Sequence, residues 1–316
     1  MHLKSGITIA SRLLAALFCV FSLEVIASEA PALPGPLVSA EWLQNNSDHL
    51  VVLDVRKDID SFLTDGHIEG AVLVNGRKAR VSRKQGGHKL IGMLPNRTEY
   101  EQFMSNHGVG TNSTVVITNR GETPSNVAGA ARFYWQMKYY GFKRVALLDG
   151  GNRGWVDALG DLTNNNTIVE PAPFTAGEIH NEILATIQDV EQALTDNNIL
   201  LVDTRDLQFH IGLKKRDYVA SPGHIPGSRL LPYKFLHPEK GAPVYSPVDV
   251  MEQTLTALRI DTNKELILYC NSAWDCSDVW FAVHELLGKR NVRIYDGALN
   301  EWTLDGSHPM TRAITR

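Results

Sequence analysis

The chain has 316 residues, 43% of them hydrophobic, and a formal net charge of −4. That length and apolar content support a sizeable core and exceed the usual span of one domain, so two domains are expected. The acidic balance argues against a nonspecific nucleic-acid binder.

Residues 1–27 open the chain with Lys4 and Arg12 ahead of an apolar run from Leu13 to Leu23, followed by Val25-Ile26-Ala27. This pattern predicts a cleavable signal peptide, since the run is short for a bilayer span and Glu24 interrupts it. Cleavage after Ala27 leaves 29 basic against 34 acidic side chains, a net charge of −5. The expected product is periplasmic or secreted, binds no nucleic acid and has no membrane attachment. Cys19 leaves with the peptide, so only Cys270 and Cys276 remain. Two cysteines are too few to staple a domain of this size, and too few for a four-ligand zinc site without well-spaced histidines.

A repeat with a period of about 150 residues organises the rest. HLVVLDVR (49–56) is echoed by NILLVDTR (198–205), and GHIEGA (66–71) by GHIPGS (223–228). STVVITN (113–119) is echoed by KELILYC (264–270), and KRVALLDGGNRGW (143–155) by NVRIYDGALNEW (291–302). Short apolar strand patterns alternate with helical ones, such as 126–141 and 246–260, which implies α/β units with parallel sheets. Two similar domains follow, 36–160 and 184–316, with the polar, proline-bearing segment 161–183 as linker.

The ordered set Asp-x-Arg, Gly-His-Ile-x-Gly, a cysteine loop after a strand, and Asp-Gly-x-x-x-Glu-Trp resembles the rhodanese homology domain. The tandem layout resembles two-domain rhodanese and mercaptopyruvate sulfurtransferases of the exported bacterial type, and Gly-Met-Leu-Pro (92–95) is similar to a first-domain segment of those enzymes. The resemblance implies an inactive first domain, where Asn119 fills the cysteine's slot, and a catalytic second domain carrying Cys270. It also implies the reaction: Cys270 takes a sulfane sulfur from a small donor, becomes a persulfide, and passes the sulfur to a thiol, a protein thiol or another thiophilic acceptor. No metal or organic cofactor is required.

Read from the residues alone, LYCNSAWDCSDVWF (268–281) lies between a strand's carboxyl end and a helix's amino end, where open parallel sheets bind ligands. The amides of Asn271, Ser272, Ala273, Trp274 and Asp275 can curl around the Cys270 sulfur and stabilise an anion there. Cys276 is either a resolving thiol or a small side chain packed beneath the loop. Asp275 is either part of a helix cap or a carboxylate that raises the thiol pKa and repels dianionic donors. Trp274 is an apolar lip over the sulfur, or an ordinary aromatic.

The resemblance further implies that Arg216 grips a donor carboxylate, with Gln208 near its partner arginine's place, and that Ser272 relays a proton. Gly92 stands where the relay histidine would be, and His88 is the candidate substitute. The basic stretch GRKARVSRKQGGHK (76–89) is either a solvated loop or a cationic cleft wall. Asp54–Arg56 and Asp203–Arg205 read as strand-end ion pairs, and His224 as a support for its turn. Two readings compete with a sulfurtransferase: a sulfur carrier or partner-binding module without turnover, and a dithiol redox protein using Cys270 and Cys276. A phosphatase is disfavoured, because Cys276 and Ser277 occupy the places where an anion-loop arginine is needed.

Overall fold

The computed structural model describes residues 31–304 and 306–314, together with His2. The expected signal peptide, with Cys19, otherwise lies outside the described residues. Among those described, no helix is long and apolar enough to cross a membrane.

The first domain contributes strands β1 (Leu37–Val38), β2 (Val51–Arg56), β3 (Val72–Asn75), β4 (Val81–Gln85), β5 (His88–Met93), β6 (Val115–Thr118) and β7 (Val145–Leu148). The second contributes β8 (Leu184–Ala185), β9 (Ile199–Asp203), β10 (Arg229–Leu230), β11 (Glu265–Tyr269) and β12 (Val292–Tyr295). Two parallel five-stranded sheets result, ordered β1-β7-β6-β2-β3 and β8-β12-β11-β9-β10, which are the same topology. Helices flank both sheets, so the fold is α/β, as the alternation of patterns implied. Buried runs such as residues 115–117 and 266–268 are apolar throughout because both sheet faces are covered.

In each copy the Asp-x-Arg motif closes a buried ion pair at a strand end. Arg56 donates to Asp54 at 2.7 Å and to the Gly66 carbonyl at 2.7 Å. Arg205 donates to Asp203 at 2.6 Å and to the Gly223 carbonyl at 2.7 Å. The pair therefore ties each strand to the following Gly-His-Ile turn. In the second copy, His224 shares a 2.8 Å hydrogen bond with the His210 carbonyl and stacks on the His210 ring.

Segment 161–183 is held closely against the first domain by its backbone. Its Ala176 and Gly177 carbonyls accept from Arg97, and the amides of Ala172, Gly177 and His180 donate back to Ser105, Tyr140 and Tyr139. These hydrogen bonds make the linker a strap on the first domain.

The two domains share one continuous core. The helix Pro124–Tyr139 packs across the helix Asp275–Trp280, and Tyr134 meets Phe281 edge-on with ring centres 4.9 Å apart. Polar ties cross the seam in both directions. Asp149 Oδ1 accepts from the Tyr245 amide at 3.0 Å, and its repeat counterpart Asp296 accepts from the Leu94 amide at 2.8 Å and forms an ion pair with Arg132 at 2.6 Å. The first domain adds an antiparallel hairpin, β4–β5, which has no counterpart in the second and reaches across the seam.

Candidate active site

The loop Cys270–Asp275 follows β11 at its carboxyl end and leads into the helix Asp275–Trp280. Leu299 and Asn300 donate their amides to the carbonyls of Cys270 and Asn271, which anchors the loop's entry. Arg205 adds a contact to Asn271 Oδ1 at 3.4 Å. Ala273 holds a left-handed backbone, with φ of 51°, a conformation a non-glycine residue adopts at a cost of about 1–2 kcal/mol. That turn aims the following amides inward, and the Trp274 N–H donates to Cys270 Sγ at 3.2 Å.

Cys270 is 1% exposed. Burial pushes its thiol pKa up, but hydrogen bonds from the Cys276 thiol and from the amides of Cys276, Ser272 and Trp274 outweigh it and bring the value down to about 6. The group is therefore a thiolate at neutral pH. Burial and the neighbouring Cys270 push Cys276 well above the ordinary thiol range. Cys276 is a protonated donor facing a thiolate acceptor, and both cysteines are free and buried. It does pack beneath the loop, as one reading of the sequence had it, with a hydrogen bond that reading did not include.

A cleft of about 450 Å³ between the domains opens onto Cys270, lined also by Asn271, Ser272, Trp274 and Asp275 of the loop. Four cations line it: Lys57, Arg77 and Arg80 from the first domain, and Arg216 from the second. Only Asp206 and Asp275 oppose them, and Asp206 is paired with Lys234 at 2.6 Å. The loop carries no cation of its own, so the positive charge around the sulfur comes mainly from the first domain.

Trp274 joins the two halves. Its indole sits against Gly129 and Gly76, where an added Cβ would lie 2.4 Å and 2.9 Å from ring atoms. Its Nε1 donates to the Ser125 carbonyl at 3.2 Å, and the Lys57 ammonium and Arg80 guanidinium lie 4.0 Å and 4.6 Å from its ring centre. The residue is a plug seated in the first domain, and its amide is the one that holds Cys270. It also lines the cleft with Cys270 and is itself buried.

The basic stretch 76–89 divides. Arg77 and Arg80 reach the cleft, and Arg80 donates to the Ser272 carbonyl at 2.9 Å; Arg83, Lys84, His88 and Lys89 are exposed around the β4–β5 turn. His88 does not line the cleft, so it is not placed to replace the missing relay histidine. Gly92 explains why none is present: φ is 75°, and a Cβ there would lie 2.6 Å from Arg80 Nη1. Arg80 occupies the space a histidine would need. Ser272 meets Tyr218 instead, hydroxyl to hydroxyl at 3.4 Å.

Arg216 lines the cleft, over the Phe209 ring at 5.4 Å. Gln208 is exposed and outside the lining; its helix, Leu207–His210, turns Phe209 inward, which corrects the expectation that Gln208 would help hold a donor. Asp275 is the first residue of its helix and not its N-cap, which is Trp274, in αR geometry and without a side-chain cap hydrogen bond. Asp278, three residues further along the helix, accepts from Tyr245 at 2.6 Å and pairs with His237 at 2.8 Å.

In the first domain Asn119 takes the same strand-end position. Its Oδ1 accepts from the Gly121 amide at 2.8 Å, and the Asn152 amide donates to its carbonyl at 2.7 Å. A neutral amide there offers no nucleophile. Lys57 and Tyr218 escaped the reading of the sequence, and the motifs that contain Asp149 and Asp296 gave no sign of their ties across the seam. The one signal for Lys57 is its position directly after Asp-x-Arg, where the second copy places Asp206 in the same cleft.

The family model for the rhodanese-like domain matches residues 39–158 and again 186–305. The chain belongs to the rhodanese-like family. A Haloferax volcanii protein named "Putative thiosulfate sulfurtransferase" is 30% identical over 281 residues, covering 84% of this chain and 92% of that protein. The Thermus thermophilus sulfur carrier protein TtuD is 28% identical over 280 residues, covering 85% of this chain and 94% of the carrier. Among solved structures, the anaerobic ergothioneine biosynthesis enzyme of Chlorobium limicola, in complex with trimethyl histidine, superposes with a TM-score of 0.77 at 22% identity, over 89% of this chain and 71% of the enzyme. That likeness concerns the fold. The named rhodanese relatives support sulfur transfer as the general activity of this chain.

Proposed function

We propose that this protein is a sulfurtransferase that moves a sulfane sulfur from a small anionic donor to a thiophilic acceptor through a persulfide on Cys270. The observation that carries the reading is a thiolate held by inward-facing amides at the floor of a cation-lined cleft. The Cys270 thiolate attacks the donor's outer sulfur, the bond between that sulfur and the rest of the donor breaks, and its electron pair leaves with the donor residue. The persulfide anion stays within the ring of donors that held the thiolate. An acceptor then attacks the outer sulfur, and the electron pair of the S–S bond returns to Cys270. Arg216, Lys57 and Arg77 draw the donor in, and Arg80 fixes the loop through Ser272. Every bond change takes place on sulfur, and no cofactor takes part.

Supplying thiosulfate or mercaptopyruvate with a thiol acceptor, and following sulfite or pyruvate release, tests turnover. Release by the wild type and its loss in Cys270→Ser are expected; release that survives Cys270→Ser overturns the reading. A carrier without turnover, suggested by the likeness to TtuD, would load once and release one equivalent only.

A further inference from the structure

The cleft holds an acidic side chain beside the reactive sulfur, where a carboxylate would oppose both the thiolate and an anionic donor. Asp275 lines the same cleft as Cys270 and is half-buried, between the Lys57 side of the first domain and the Arg216 side of the second. It is the first residue of its helix, directly after the N-cap Trp274. Seven titratable or charged groups act on it or are acted on by it: Cys270, Cys276, Lys57, Arg216, Asp278, Tyr218 and Tyr233. No histidine lines the cleft among the described residues, and the position of the expected relay histidine is closed by Gly92 and Arg80. A thiol acceptor must nevertheless lose a proton before its sulfur can attack.

We propose that Asp275 is the general base that takes this proton, which makes it a catalytic residue of the acceptor half-reaction. The proposal rests on the persulfide cycle described above. Burial, with Cys270 next in effect, pushes the Asp275 carboxyl up to about 8 against the pull of Lys57 and Arg216. At neutral pH the side chain is mostly neutral, so it does not repel an anionic donor during loading, and its proton exchanges with water through the cleft. When ionised it accepts the proton of an acceptor R–SH. The resulting thiolate attacks the outer sulfur of the Cys270 persulfide, a new S–S bond forms in R–S–S⁻, and the old bond's electron pair returns to Cys270 Sγ. One proton passes from acceptor to carboxyl and nothing is oxidised or reduced overall. A base whose pKa lies close to that of the thiol is well matched to the transfer.

The test uses the full chain, loaded with one sulfur on Cys270 and mixed with either a small thiol or sulfite, which carries no proton to remove above its own pKa. In Asp275→Asn, transfer to the thiol at about pH 8, where sulfite is largely the dianion, is expected to fall several-fold more than transfer to sulfite. That deficit should vanish above about pH 9, where the thiol ionises unaided. Lys57→Met removes a cation that lowers the Asp275 pKa, so it should move the thiol-transfer profile to higher pH. Equal slowing of both acceptors by Asp275→Asn overturns the proposal, as does a wild-type pH profile that Asp275→Asn retains and Lys57→Met abolishes. Failure of the wild type to load sulfur would instead overturn the persulfide cycle.

Discussion

Replacing Cys276 by alanine removes one hydrogen-bond donor from the Cys270 sulfur and leaves the backbone amides in place. A hydrogen bond to a charged group is worth about 1.5–3 kcal/mol, and one pKa unit corresponds to about 1.4 kcal/mol, so the loss should raise the Cys270 pKa by roughly 1–2 units. From about 6 in the wild type, it should reach roughly 7–8 in Cys276→Ala. At pH 6.5 the thiolate fraction then falls from about three-quarters to roughly a tenth. The pH dependence of Cys270 alkylation by iodoacetamide, read by mass on Cys270 itself, measures the midpoint. Cys276→Ser, which restores a donor, should return it close to the wild-type value. A midpoint in Cys276→Ala at or below that of the wild type would show that the amides alone hold the thiolate and that the Cys276 thiol contributes nothing.

Restoring a histidine at Gly92 should not restore a proton relay, since its Cβ would meet Arg80 Nη1 at 2.6 Å in a left-handed backbone. Gly92→His is expected to lose roughly 1–3 kcal/mol in urea unfolding and to lower donor turnover; a gain in turnover would contradict this. Gly129→Ala should unseat Trp274 and lower both stability and Cys270 reactivity, whereas a variant as reactive as wild type would show that the indole's seat does not control the loop. The buried His237–Asp278 pair gives a pH signature with a definite sign. His237 is desolvated, but Asp278 outweighs that and raises its pKa above the unfolded value of about 6.5. Its contribution is fully present below that value and disappears as pH rises through the raised folded pKa, so stability should fall across that interval. Asp278→Asn should flatten the fall in urea midpoints, and an unchanged slope would assign it to other groups.

The duplication, the α/β class and the presence of Asn119 at the strand end where the second copy has Cys270 were legible because strand ends and tight turns leave short, ordered motifs in the sequence. Asp-x-Arg is one such case: both its strand and its bonding partner lie within a few residues, so local sequence determines the pair. The residues that complete the site were hidden because their partners lie in the other domain. Nothing around Trp274 signals that Gly76 and Gly129 wait for its ring. The basic run 76–89 likewise does not say which of its cations face inward, because the hairpin that sorts them is positioned by contacts to Asn300, Asp296 and Ser272. Asp275 reads in sequence as a possible capping carboxylate; the left-handed turn at Ala273 commits the loop amides to sulfur, and His237 and Tyr245 hold Asp278 further along the helix.

The central claim is that Cys270 carries the transferred sulfur. Incubating the purified protein with a panel of sulfane donors, removing the donor and measuring the mass of the Cys270 peptide tests it most directly. A gain of one sulfur atom on Cys270, absent in Cys270→Ser and discharged by a thiol acceptor, is the predicted result. A folded protein whose Cys270 gains no sulfur from any donor, or which loads sulfur elsewhere, would contradict the account.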